Sequence, residues 1–222
     1  MPNSLAVILN VRKNSSRCNN KLLRPFAFSN LFEISLAKVD RLVADEKYLC
    51  THDEEFKDFL IYPSIKFIKR SYESSNVDGP LTKIYEAVNQ VASDYFMFLN
   101  PCCPNLRVKT IQNAINLFKN SNFVSMTSVL AVRDWMYSEN GSVLVDGSKT
   151  GDTKNSPVMY KVAHAFHIID KNRFFENNGL IWTNKVNDPY LYEISKLEAY
   201  DVDDELDFIA TEAIYRSIFY SH

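Results

Sequence analysis

Tyr95-Phe96-Met97-Phe98-Leu99, closed by Asn100-Pro101, and its counterpart near the amino end, Leu5-Ala6-Val7-Ile8-Leu9, decide the architecture. Each is an unbroken apolar run, not an alternation of apolar and polar residues. A strand with one wet face alternates; a strand covered on both faces does not, so both runs are expected to be central strands. Between them, residues 30–44 place Leu31, Ile34, Val39, Leu42 and Val43 near a helical period, with Ser29 or Asn30 as cap. Tyr48 to Cys50 and Ile65 to Ile68 read as short strands. Leu81 to Val91 reads as a helix, with Ile84, Ala87, Val88 and Val91 on one face. Beyond the second run, Val108 to Phe118 is helical and Phe123 to Val132 strand-like. This β-α-β-α-β order predicts an α/β chain with a doubly wound, mostly parallel sheet and helices on both faces. Such sheets take their ligands at the carboxyl ends of the strands, which directs attention to the loops after Leu9, Leu99 and Tyr200.

The pattern changes after Val132. Asn140-Gly141, between Trp135-Met136-Tyr137 and Val143-Leu144-Val145, is a hairpin signal, and Gly147 to Pro157 is a polar loop. Ala165 to Ile169 and Leu191 to Tyr200 are expected to be strands, and Glu205 to Phe219 an amphipathic helix. The expectation is one domain over residues 1–222, with a β-hairpin and loop excursion at about 133–160. Among 222 residues, 46% apolar and 23% charged is an ordinary globular balance, which excludes disorder and collagen. No run reaches the roughly 18 apolar residues of a membrane span. MPNSLAVILN lacks a basic segment before its apolar stretch, so no secretory leader is expected. A net charge of -2 gives no sign of a nucleic-acid partner. Cys18, Cys50, Cys102 and Cys103 form no C-x-x-C and are expected to be reduced thiols in a cytoplasmic protein.

Three segments carry chemistry. The loop after the first strand holds Arg12, Lys13, Arg17, Lys21 and Arg24 and no acid. Arginine forks onto phosphate oxygens and lysine adds a compact charge, so the loop suits a polyanion. It lacks the glycines of a P-loop or a dinucleotide fingerprint. In Asp201-Val202-Asp203-Asp204-Glu205-Leu206-Asp207, extended geometry turns Asp201 and Asp203 to one side, where two carboxylates can hold a hard cation such as Mg²⁺. The competing reading makes the whole cluster an acidic helix start. The third segment is Asn100-Pro101-Cys102-Cys103-Pro104-Asn105, with Asn100 at a strand tip and Asn105 as a possible helix cap. His164 and His167, an odd number of residues apart near a strand, are expected on opposite faces, with His164 the one free to face the site.

From about residue 5 to 216 the chain resembles the acylneuraminate cytidylyltransferase family, the enzymes that make CMP-activated acid sugars. Ala6-Val7-Ile8-Leu9-Asn10-Val11-Arg12 through Lys21 is similar to that family's strand and R-x-G-S-K-x-x-P-x-K-N loop. Residues 99–107 are similar to its L-Q-P-T-S-P-L-R segment. Residues 160–169 lie where it has Y-R-x-N-G-A-I-Y-I, and residues 201–208 are close to its D-I-D-x-x-x-D-F. The chain departs from the pattern at Asn14 (loop glycine), Ser16 (loop lysine), Leu22 (asparagine), Asn100 (glutamine) and Ala163-His164 (asparagine-glycine). The last two departures fall on the acceptor side.

The resemblance implies a nucleotide-diphospho-sugar-transferase-like fold, CTP and an acid-sugar acceptor as substrates, Mg²⁺, and a homodimer. The activity implied is transfer of CMP from CTP to a sialic-acid-like ulosonic acid with loss of pyrophosphate, a cytoplasmic step toward lipopolysaccharide or capsule. Carried over, Arg12, Ser15 and Lys21 would contact the phosphates, with Arg17 in place of the missing loop lysine and Arg70 reaching the nucleotide. Asp201 and Asp203 would hold the metal; Asn100 and His164 would meet the acceptor. Lys21, Arg12, Asp201 and Asp203 would carry the chemistry. Three alternatives stand beside it: a cytidylyltransferase for a non-sialic acceptor, a nucleotide-binding homologue without catalysis, and a glycosyltransferase that uses D-V-D for its metal.

Overall fold

The computed structural model describes residues 4–77, 79–149 and 151–219. Strand β1 (Leu5–Asn10) leads through a long loop into a small antiparallel ribbon, β2 (Pro25–Phe26) and β3 (Ser29–Asn30), and then α1 (Leu31–Arg41). Next come β4 (Glu46–Thr51), β5 (Lys66–Lys69) and two short helices, α2 (Tyr72–Asn76) and α3 (Leu81–Ile84). After β6 (Tyr95–Leu99) follow α4 (Val108–Lys119), β7 (Met126–Val132) and a hairpin of β8 (Met136–Tyr137) and β9 (Val143–Val145). The chain ends with β10 (Met159–Asp170), α5 (Lys171–Glu176), β11 (Tyr190–Glu193) and α6 (Glu205–Phe219).

Seven strands form one sheet in the order β11-β7-β10-β6-β1-β4-β5. All neighbours are parallel except β10, which runs antiparallel to both β6 and β7. The mostly parallel sheet expected from the two apolar runs is therefore present. Residues 5–9 are fully buried, and they feed two cores in alternation. Leu5, Val7 and Leu9 join a cluster with Leu36, Ile111, Ile115 and Phe208 from α1, α4 and α6. Ala6 and Ile8 face the other side with Phe96, Val88 and Phe174. A strand whose every residue meets a core must be continuously apolar.

Local signals explain most boundaries. The Asn30 side chain caps α1 by accepting from the Glu33 N–H, and its amide donates to the Glu33 carboxylate. Asp204 accepts from the Asp207 N–H, and the Asp207 carboxylate accepts from the N–H groups of Asp203 and Asp204. This reciprocal cap uses the carboxylates of Asp204 and Asp207 and leaves the side chains of Asp201 and Asp203 out of it. The Asn140-Gly141 turn is present, with Gly141 at φ +80°, where glycine is unstrained.

Four expectations need correction. Residues 81–91 are not one helix: α3 stops at Ile84, and residues 86–90 form a tighter 3₁₀ segment. The break lets the Tyr85 ring pack among Phe96, Phe98 and Phe174. The strand expected over 191–200 is β11 alone; Ser195 to Ala199 form a turn, held by Ser195 and the buried Glu198. Asn105 does not cap α4. Arg107 stands at that position without a side-chain cap bond. Finally, β10 is twelve residues long, not five, and a bulge between Val162 and His167 divides its pairing with β7.

Candidate active site

Ile8 pairs with Phe98, so Asn10 and Asn100 lie at matching carboxyl ends of the adjacent strands β1 and β6. The basic loop leaves β1 at this edge, and its five cations part company. Lys13 pairs with Glu55 at 2.8 Å. Arg24 forks onto both oxygens of Glu205 and lies over the Phe208 ring at 4.2 Å. These two tie the loop down and do not join the site. Arg17 and Lys21 do turn inward. Arg17 donates to Asp203 at 2.7 Å; Lys21 Nζ donates to the Val202 carbonyl at 2.6 Å and lies 3.9 Å from the Asp203 carboxylate. Residues some 180 positions apart thus share one site, at the place where an open parallel sheet binds ligands.

Asp201 and Asp203 lie outside any helix or strand, just before α6. Val202 is fully buried between them, and the Val202 N–H donates to the Cys102 carbonyl, pinning the segment against the turn after β6. Asp201 accepts from the Asn100 amide at 3.0 Å through Oδ2, while its Oδ1 is buried and has no hydrogen-bond partner. Burial, with the Asp203 charge added, raises the Asp201 pKa above the ordinary carboxylate value. A buried carboxylate oxygen with no donor, beside a second carboxylate, is a fitting pair of ligands for a hard cation. Among the described residues no cluster of three or more acidic, histidine or cysteine side chains could hold a metal. Two carboxylates alone match Mg²⁺ chemistry, in which phosphate oxygens and water supply the remaining ligands.

Arg12 heads the other side of the site. Its guanidinium donates to the Ser75 carbonyl, and the residue lines two cavities. One, of about 240 Å³, is bounded by Asn10, Arg70, Tyr85 and Phe98. The other, of about 380 Å³, is bounded by Ser15, Asn19, Tyr72 and Asn76. Arg70 is buried, and its guanidinium donates to the Ser74 hydroxyl, the Ser74 carbonyl and the Val11 carbonyl. Burial lowers its pKa, and the neighbouring Arg12 charge adds to that. Neither arginine has a carboxylate in ion-pair contact among the described residues. Two guanidiniums facing one cavity without an acid make it attractive to an anion.

Asn100 is not a free strand-tip side chain. Its amide donates to Asp201 and its carbonyl oxygen accepts from the Cys102 N–H. It holds the Asp201 carboxylate in place. His164 and His167 do not point away from each other as strand alternation demands. The bulge re-aims them so that their rings meet edge to face at 5.5 Å. His164 is exposed and has φ +52° in the position where the resembled motif has glycine, a left-handed conformation costing a residue with a Cβ about 1 kcal/mol or more. His167 is buried, shares a 2.7 Å hydrogen bond with Thr127, and lies against Phe98 and Trp182. Burial pushes its pKa down to about 4, so it is neutral at physiological pH. Sequence reasoning missed Tyr85 and Phe98 as walls of the cavity beside Arg12, because aromatic residues in apolar runs read as core. The free thiols are poor nucleophiles: burial pushes Cys50 and Cys102 up to about 12 and raises Cys103 and Cys18.

No family model matches the chain, and no curated protein matches it. Solved structures do. A CMP:2-keto-3-deoxy-manno-octonic acid synthetase complexed with CTP superposes with TM-score 0.70 at 10% identity, over 96% of this chain and 99% of that one. This chain has the nucleotidyltransferase-like α/β fold. A 4-diphosphocytidyl-2C-methyl-D-erythritol synthase from Anaerococcus prevotii gives TM-score 0.66 at 12% identity, over 97% of each chain. Rv0371c from Mycobacterium tuberculosis gives 0.62 at 14% identity, over 95% of this chain and 97% of that one. At such identities the likeness is one of fold. No helix among the described residues is long and apolar enough to cross a membrane.

Proposed function

We propose that the chain is a Mg²⁺-dependent cytidylyltransferase that transfers CMP from CTP to a hydroxyl of an acid sugar of the sialic or ulosonic type, releasing pyrophosphate. The observation that carries this reading is the meeting of Arg17 and Lys21 with Asp203 and the Val202 carbonyl, next to Asp201, at the carboxyl ends of β1 and β6. Two of the fold neighbours named above are enzymes named for cytidylylated products, and one was solved with CTP.

In this reading the triphosphate lies between the loop and the aspartates. Arg12, Arg17 and Lys21 hold its oxygens and stabilise the departing pyrophosphate, with Ser15 donating from the loop. Arg70 and Asn10 face the nucleotide from the adjoining cavity. Asp201 and Asp203 would hold Mg²⁺, which when bound neutralises the charge developing on the α-phosphate. Asn100 keeps Asp201 oriented. The acceptor enters over Phe98, His164 and Trp182, where aromatic faces suit a sugar ring and the His164 imidazole is placed to donate to a carboxylate. Exposed Trp135, Tyr137, Val143 and Leu144 on the hairpin give a homodimer an apolar arm to share.

Pyrophosphate release from each of the four nucleoside triphosphates, against a panel of acid sugars and with and without Mg²⁺, tests the proposal. Release confined to CTP, one class of acid sugar and added Mg²⁺ is expected. Turnover of a preformed nucleotide sugar with no pyrophosphate release would replace it with glycosyl transfer. Silence across the panel, with CTP still bound, would replace it with a binding role.

A further inference from the structure

A further cavity lies apart from this site. It is a groove of about 600 Å³ over the outer face of α1, between the start of α4 and the end of α6. Ile34, Ala37 and Leu106 form an apolar floor, and Tyr62, Tyr215 and Phe219 an aromatic rim. Four cations line it, Lys38, Arg41, Arg107 and Lys109, against one carboxylate, Glu33. That carboxylate already accepts from the Ser29 hydroxyl and the Asn30 amide. Glu198, behind Arg107, is likewise engaged, by the Arg107 N–H and the hydroxyls of Thr110 and Ser195.

None of the four cations has an ion pair with a described residue. The Lys38 ammonium is held by the Cys103 and Pro104 carbonyls at 2.9 and 2.6 Å, and burial lowers its pKa to about 7, so the groove's surplus rests on Arg41, Arg107 and Lys109. The helix α4 opens onto the same groove without a side-chain cap, so its first-turn amides still need acceptors. Cationic surplus, an uncapped helix start and an apolar floor meet in a volume typical of small-molecule sites.

We propose that this groove is a second ligand site, separate from the nucleotide site, for a small amphipathic anion: a carboxylate or phosphate head on a short aliphatic or aromatic body. The head lies against Arg41, Arg107 and Lys109 at the α4 start, and the body covers Ile34, Ala37 and Leu106 beneath the aromatic rim. A purely polar anion would leave the floor wet, and a neutral apolar molecule would bury cations without a counter-charge; both are disfavoured.

The test is isothermal titration calorimetry of the whole chain with octyl phosphate, octanoate and octanol, without CTP. Either anion should bind at least about tenfold more tightly than octanol, the ratio that one charge-assisted hydrogen bond supplies. The Arg41→Ala/Arg107→Ala/Lys109→Ala variant should lose about that factor for the anions, with octanol binding unchanged. The single Lys109→Glu variant repeats the comparison should the triple variant not fold. Neither set touches the nucleotide site, so pyrophosphate release without octyl ligands stays at the wild-type level. Equal binding of octanol and the anions, or anion binding unaffected by both variants, overturns the proposal. So does a dimer in sedimentation that the variants dissociate, since a second copy would then fill the groove. All these readouts are independent of CTP turnover, so the proposed reaction and this site can fail separately.

Discussion

Replacing Asp201 by Asn separates what the site needs for chemistry from what the fold needs for stability. The substitution keeps the shape, and the Asn100 amide can still donate to the new side-chain oxygen. What changes is a buried oxygen without a donor, next to Asp203, in a carboxyl whose pKa is raised chiefly by burial. A carboxyl with a raised pKa binds its proton more tightly folded than unfolded. The fold therefore loses stability as pH rises above the ordinary carboxylate range. Leaving a buried polar group unpaired costs about 1–3 kcal/mol, more for a charge, and the neutral amide recovers part of this. A gain of about 1 kcal/mol raises the melting temperature of a chain this size by roughly 2–4 °C. The lost carboxylate should lower CTP turnover about 10²–10³-fold, as for other preorganised electrostatic groups. Thermal denaturation at pH 7.5 without divalent ions, and pyrophosphate release with Mg²⁺, read the two effects. A variant that melts below wild type while keeping wild-type turnover refutes the reasoning on both counts.

Lys21→Met should reduce turnover by about 10²–10³-fold at saturating CTP, because its ammonium joins the loop to the Asp201–Asp203 segment; wild-type steady-state rates would exclude the assignment. His164→Gly relieves the φ of +52° and removes the imidazole, so KM for the acceptor should rise while KM for CTP holds; a change confined to CTP would place His164 on the wrong side. Arg173→Met removes the cation of a largely buried pair but leaves Asp188 the donors of Ser125 and Thr183, so it should destabilise the fold by about 1–3 kcal/mol in urea unfolding; no measurable loss would contradict the pairing. Burial opposes ionisation of Glu46, Glu86 and Asp188, yet hydrogen bonds hold all three at about 2 against ordinary values of 4.5, 4.5 and 3.8. Their stabilisation is complete above about pH 5 and disappears as pH falls toward 2, so the urea midpoint should decline across that interval; a flat profile down to pH 3 would contradict it.

Legibility followed burial. The runs 5–9 and 95–99 announced themselves because every residue in them meets a core. The periods of α1 and α4 were legible because one face of each helix packs on the sheet. Residues 81–91 misled because four apolar positions fit an α-helix and a broken α/3₁₀ pair equally well; the break at Tyr85 comes from a ring packing among distant phenylalanines. The His164–His167 geometry failed for a related reason. Alternation assumes a regular ladder, and the bulge that breaks it depends on β7, more than thirty residues earlier. In the site, the residue types and the strand ends were legible. The partition of the loop cations was not, because Glu55 and Glu205 carry no local mark of the partners they take.

The central claim is that the loop cations and the paired aspartates form one site for a metal-bound triphosphate. Electron paramagnetic resonance of Mn²⁺, standing in for Mg²⁺, tests it most directly when titrated into the chain with and without CTP. The account predicts that Mn²⁺ and CTP bind together and enhance each other, and that Asp201→Asn and Lys21→Met each abolish the enhancement. Joint binding that persists unchanged in both variants would contradict it.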